Sequence, residues 1–241
     1  MNRNRWIVAA VVIVVVVVVG GYIAIRAVEG GSKSALTLPT VTSTTVVGGT
    51  SSTSDSSANA SSASSTFNAD GTWNVASGST AGYRVQESLF GVANTAVGRT
   101  SAVTGSITIS GTTVTAGSFT VDLTKVTSDR SERDQQFQGR IMDTANFPTS
   151  TFKLAQPVNF NTLPDNGVQV SEQATGNLTL HGVTHSETFT VKAQRNGSQI
   201  QVQGSIPITF SDWNIDNPSG GPATVGNSGT LEFLLNFTHA A

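Results

Sequence analysis

The 241-residue chain contains no cysteine. That absence excludes a disulfide framework, a thiolate zinc site, a thiol nucleophile and a lipidated cysteine. Charge is scarce as well, at 12% of residues with a formal net charge of −2 and an isoelectric point near 5.9. No basic footprint for a nucleic acid exists, so no nucleic-acid partner is expected. Hydrophobic residues make up 37% of the chain, below the globular average, which implies that part of the length does not fold. Gly-x-Ser-x-Gly is missing, and so are the glycine-rich phosphate loops. No catalytic residue and no cofactor is therefore assigned.

What is present divides into three parts. Residues 1–31 hold an uncharged apolar run, Trp6 to Ile25, with Arg3 and Arg5 before it and Arg26 and Glu29 after it. A helix of about 20 residues spans roughly 30 Å, the thickness of a bilayer's hydrocarbon core. The leading arginines keep the N-terminus cytoplasmic and send the rest outside. The sequence thus predicts a single-pass signal anchor on the cell membrane. The alternative is secretion after cleavage, for which Ile25-Arg26-Ala27 offers a poor site.

Residues 32–66 contain 12 serines and 8 threonines. Leu36, Leu38, Val41, Val46 and Val47 are too few to offset ordering entropy, so a flexible spacer is expected, with a reach of roughly 30–35 Å. O-glycans could stiffen such a stalk.

Residues 67–241 are long enough for one domain with its own core. Period-two alternation runs through Phe119-Val121-Leu123, Phe189-Val191-Ala193, Ile206-Ile208-Phe210 and Leu231-Phe233-Leu235-Phe237, with shorter cases at Ile107-Ile109, Leu178-Leu180 and Ile200-Val202. One face of each strand is buried and one is wetted, the mark of an antiparallel sheet. Ser110-Gly111, Asn166-Gly167 and Asn196-Gly197 read as hairpin turns. Ser128 to Asn146 reads as a helical excursion closed by Pro148. The expected fold is all-β, an antiparallel barrel or sandwich of about eight strands with a short helix. Periodicity does not decide whether its interior is packed or hollow.

Polar clusters have structural readings. Arg133 and Asp134, amid Asp129, Arg130 and Glu132, read as a solvated, mutually paired helix face. His181 and His185 flank Gly182-Val183, a hairpin that removes helical metal-ligand spacing, and His239 has no evident partner. Asp212, Asn214 and Asp216 copy the start of a calcium loop but lack its later ligands, so an Asx-rich turn is expected and no metal is assigned. The sequons at Asn59, Asn177, Asn196 and Asn236 matter only in a glycosylating host.

Several ordered motifs resemble the bacterial YceI-like family: Arg133-Asp134, Ile141-Met142-Asp143, Phe147-Pro148 and Phe152, then the hairpin Thr175 to Thr184. Trp73, Ser79 and Tyr83 resemble its opening strands, and Ser211 to Ile215 the corner before its last ones. The resemblance covers about Gly71 to Thr238. It implies an extended, lipocalin-like β-barrel whose apolar cavity takes a long-chain isoprenoid or other amphiphilic lipid. On that footing the candidate lining residues are Phe90, Phe119, Val121, Leu123, Phe137, Ile141, Met142, Phe147, Phe152, Leu178, Leu180, Phe189, Ile208 and Phe233. Phe137, Ile141 and Met142 are expected at the mouth, where a short helix would form a lid.

The leading expectation is a membrane-tethered, non-enzymatic lipid carrier or store. Two other classes remain open: an isoprenoid-modifying enzyme using Arg133 and Asp134, and an envelope-stress or adhesion scaffold with a packed barrel. The sequence leaves a homodimer open.

Overall fold

The computed structural model describes residues 33–41 and 67–240. The apolar run Trp6 to Ile25 and most of the Ser/Thr-rich stretch lie outside the described residues. Among the described residues, no helix is long and apolar enough to cross a membrane.

Among the described residues there are twelve antiparallel strands: β1 Gly71–Val75, β2 Thr80–Leu89, β3 Val92–Thr100, β4 Val103–Ser110, β5 Thr113–Asp122, β6 Thr149–Leu154, β7 Val158–Asn159, β8 Gln169–Leu180, β9 Val183–Asn196, β10 Gln199–Thr209, β11 Ala223–Val225 and β12 Ser228–His239. Eight of them close a barrel in the order β1-β4-β5-β6-β8-β9-β10-β12, and β12 returns to β1. β12 is long enough to serve two neighbours. Its end pairs β1, at Phe237 opposite Val75, while its start pairs β2, at Leu231 opposite Tyr83. The β2–β3 hairpin thereby extends the wall at one end of the barrel.

Tight turns set the registers. His181 and Gly182 join β8 to β9, and Phe90 and Gly91 join β2 to β3; all four residues have positive φ. That is the geometry of two-residue hairpins whose twist matches the strands. Asn166-Gly167 does not form a hairpin. It closes the loop before β8, with Gly167 N–H donating to Arg195 O and Asn166 Oδ1 accepting from Gly197 N–H.

The helical excursion is shorter than the sequence suggests. The α-helix α1 spans Ser131–Gln136 and runs straight into a π-helical turn, Phe137–Ile141. Such single-turn π segments are frequent at functional sites.

Hydrophobic burial divides into two clusters. One sits at the β1 end around Trp73, Ile107, Leu235 and Phe237. The other, around Leu178, Phe189, Ile206 and Trp213, also takes in Phe137 and Met142 from the helical segment.

Residues 33–41, expected to belong to a free spacer, instead lie along the outside of the barrel. Leu38 is buried. Leu36 N–H donates to Glu232 Oε2 at 3.1 Å, and Pro39 O accepts from Gln194 Nε2 at 2.9 Å. Gln194 continues a buried amide ladder through Gln201 to Asn236. Arg84 and Arg99 also donate to the carbonyls of Lys33 and Ser34, so hydrogen bonds to the barrel's outer side chains hold the segment together with one buried leucine.

Candidate lipid cavity

The barrel is hollow. A cavity of about 930 Å³ runs from the floor at Ile107 and Phe237 to an opening beneath α1. That volume is at the upper end of ordinary ligand pockets. Its walls come from the inward position of nearly every barrel strand, among them Phe119, Val121, Leu154, Val191, Val202 and Leu231.

Bulky aromatics would be expected to fill a lumen of this size. Register prevents it. Tyr83 lies opposite Gly98, and a Cβ there would fall 2.3 Å from the tyrosine ring. Phe233 lies opposite Gly204 in the same way, at 2.5 Å, and Phe152 crosses Gly176 at 2.2 Å. Each ring sits close over the bare backbone of a glycine on the neighbouring strand, in space that any side chain there would need, while still bordering the cavity. Cross-strand aromatic–glycine pairing of this kind stabilises the sheet while keeping its lumen open.

Twelve of the fourteen lining residues expected from the resemblance reach the cavity wall: Phe119, Val121, Leu123, Phe137, Ile141, Met142, Phe152, Leu178, Leu180, Phe189, Ile208 and Phe233. Two do not. Phe90 sits on the tip of the β2–β3 hairpin and is 73% exposed. Phe147 packs outside, edge-on to His181 at 4.7 Å and against Gly182. Tyr83, Val85, Val114, Gly117 and Phe160 were not foreseen and also line the space. Tyr83 and Gly117 become visible only through strand register.

The lid has a defined latch. Phe137 stacks on Tyr83 with ring centroids 5.1 Å apart and an interplanar angle of 13°. Arg133 reaches from α1 to Glu87 on β2, Nη2 to Oε1 at 2.7 Å, and also engages Asp129. Asn94 Nδ2 donates to the same Glu87 oxygen at 2.7 Å. Arg133 is therefore not part of a solvated helix face. Its side chain is 14% exposed and its partner's 8%. Burial opposes its charge, but Glu87 and Asp129 outweigh that and hold the guanidinium above its ordinary pKa. Asp134 turns the other way. It accepts from Ser128 N–H at 2.7 Å and Ser128 Oγ at 2.6 Å, fixing the approach to α1. The Arg133-Asp134 motif thus ties α1 to β2 at one residue and to the segment leading into α1 at the next.

Burial pushes the Tyr83 phenol well above its ordinary value of 10.0, despite the Arg133 charge, which acts in the opposite direction. A phenol whose folded pKa is raised contributes stability that is fully present below the unfolded pKa and is lost as pH rises through the folded one. Wild type is expected to lose stability above about pH 10 as the unfolded phenol ionises, and Tyr83→Phe to flatten that loss. Urea unfolding at pH 8 and pH 11 measures it, and equal losses in both proteins would contradict the assignment.

The other singled-out groups have structural places. His181 Nδ1 lies 3.2 Å from Trp213 O, and His185 Nε2 lies 2.8 Å from Asp212 O. Both rings therefore brace the Ser211–Ile215 corner, where Trp213 is 1% exposed. His239 contacts Asp70 O and Ala240 O. Among the described residues no three His, Asp or Glu side chains converge on one point.

Known proteins resemble the chain at the level of this barrel. The YceI-like domain matches residues 73–237. A polyisoprenoid-binding domain from Saccharophagus degradans, implicated in plant cell wall breakdown, aligns with a TM-score of 0.56 at 17% identity, covering 70% of this chain and 99% of that one. BcnA of Burkholderia cenocepacia aligns with a TM-score of 0.51 at 18% identity, covering 66% of this chain and 95% of that one. Among curated proteins no sequence match is found.

Proposed function

The chain belongs to the YceI-like family, and from that premise we propose that its barrel holds one long-chain apolar lipid, a polyisoprenoid or similar amphiphile, for transport or storage. The observation that carries this reading is the unfilled apolar cavity of about 930 Å³. A packed-barrel scaffold does not have this space to account for. A lipid tail fits it: ten buried methylenes contribute on the order of 8 kcal/mol before ordering costs. The Saccharophagus degradans relative, described as polyisoprenoid-binding, supports the same ligand class.

Binding rather than catalysis is favoured because Arg133 and Asp134 each serve the lid. One is clamped between two carboxylates and the other is bonded to Ser128. Neither stands as a member of an acid–base pair with opposed environments.

The barrel works outside the cytoplasm in this reading, tethered by the apolar run Trp6 to Ile25. Seven residues separate Ile25 from Lys33, where the docked segment begins, so at most about 25 Å of chain lies between membrane and barrel. The barrel would stand close to the bilayer instead of a full stalk length away.

Titrating the purified chain with a dansyl-labelled polyprenol tests the binding claim. Saturation near one per chain with a micromolar or tighter constant is expected. Fluorescence that rises linearly without saturating would refute it.

A further inference from the structure

Phe90 occupies a position that sequence chemistry argues against. It is the first residue of a two-residue turn in which both positions have positive φ, 50° at Phe90 and 82° at Gly91. Such turns favour asparagine, aspartate or glycine, and a bulky residue there is strained. Nothing covers the ring in return, since Phe90 is 73% exposed. Strain plus exposure at one residue calls for a reason outside the fold.

Its neighbours supply one. Phe90 N–H donates to Pro222 O at 3.0 Å, and Leu89 pairs with Ala223. The hairpin tip is therefore bound to the loop Pro218 to Pro222, which forms part of the cavity opening. The two segments brought together, 88–98 and 217–231, contain no charged residue. At the far side of the loop, Arg140 Nη2 donates to Pro218 O at 3.0 Å. An aromatic tip on an uncharged hairpin and loop, flanked by Arg140 and set beside an apolar cavity whose α1 side carries Arg130, Glu132 and Arg133, matches the interfacial layer of a phospholipid bilayer.

We propose that the Phe90 hairpin tip inserts into the membrane surface and seats the cavity opening on it, so that lipid passes between bilayer and barrel without crossing water. The proposal rests on the lipid-binding reading and adds its partner surface. Tail transfer then occurs during contact, and its rate depends on how often loaded barrels meet a membrane.

The full chain is incorporated into donor vesicles of phosphatidylethanolamine and phosphatidylglycerol and loaded with a dansyl-labelled polyprenol. Transfer to acceptor vesicles of the same composition is then timed. The wild-type rate should rise with acceptor concentration. Phe90→Asn should lower it about tenfold, the effect of one lost aromatic contact with the bilayer. Asparagine suits the turn better, so the same variant should be at least as stable as wild type and load to the same level. Leu163→Ser, an exposed apolar residue in the loop at the opposite end of β8, should leave the rate unchanged. A wild-type rate in Phe90→Asn, or a rate independent of acceptor concentration, overturns the proposal and assigns the tip to something other than the bilayer. A chain that takes up no polyprenol fails at the loading step, which refutes lipid binding itself and is thereby distinguished.

Discussion

Gly117→Phe should shorten the longest lipid tail the barrel accepts while leaving the barrel folded. Gly117 is buried on β5 in the lower half of the cavity, its φ is not positive, and a Cβ there would meet only ordinary contacts at 3.4–3.7 Å from Ile107, Phe119 and Leu154. The new ring has no bare glycine to lie on, unlike Tyr83 over Gly98, so it projects into the lumen. Losing room for about four methylenes removes roughly 3 kcal/mol of tail burial, a factor of about a hundred in affinity for a tail that reaches the floor. Tails that end above Gly117 should bind as before. Affinities across a polyprenol length series measure the step. A uniform loss at every length would mean that the substitution deforms the barrel, and no loss at any length would mean that tails do not reach the floor.

Arg133→Leu should release the lid. The guanidinium and Glu87 are both largely buried, and removing one partner of such a pair leaves the other charge uncompensated, typically at a cost of about 3 kcal/mol. Because the lid holds Phe137 over Tyr83, bound polyprenol should leave about tenfold faster or more, as seen in dilution-triggered release. Adding Glu87→Gln to the same protein removes the orphaned charge and should recover part of the stability but not the slow release. If Arg133 merely decorated a solvated face, its loss would change stability by less than about 0.5 kcal/mol and leave release unaltered.

The fold was legible because alternation is a local property. Phe119, Val121 and Leu123 announce an inward face whatever lies beside them, and the same holds for Leu231 through Phe237. The hollow interior was not legible, since it depends on which glycine lies across from which aromatic. Gly204 is 29 residues from Phe233 in the chain, and only pairing places one under the other. Phe90 shows the limit of apolarity as a guide. Leu89-Phe90-Gly91-Val92 reads as a continuing hydrophobic run, yet the turn falls inside it and turns the phenylalanine outward. Phe147 failed for a similar reason: the stretch before Pro148 leaves the lid and packs on the His181 hairpin. The Arg133–Glu87 latch spans 46 residues, so local charge pairing pointed only to the cluster from Asp129 to Asp134. The segment 33–41 looked too polar to settle, but it is held by hydrogen bonds to Glu232, Arg84, Arg99 and Gln194, outward-facing side chains that no hydrophobic pattern reveals.

The central claim is that the cavity is occupied by one long-chain lipid, and mass spectrometry of the natively purified full chain and its organic extract tests it most directly. The account predicts a single apolar lipid class at close to one molecule per chain, lost or shortened in Gly117→Phe. A folded chain that carries no lipid and resists loading with polyprenols of every length would contradict it.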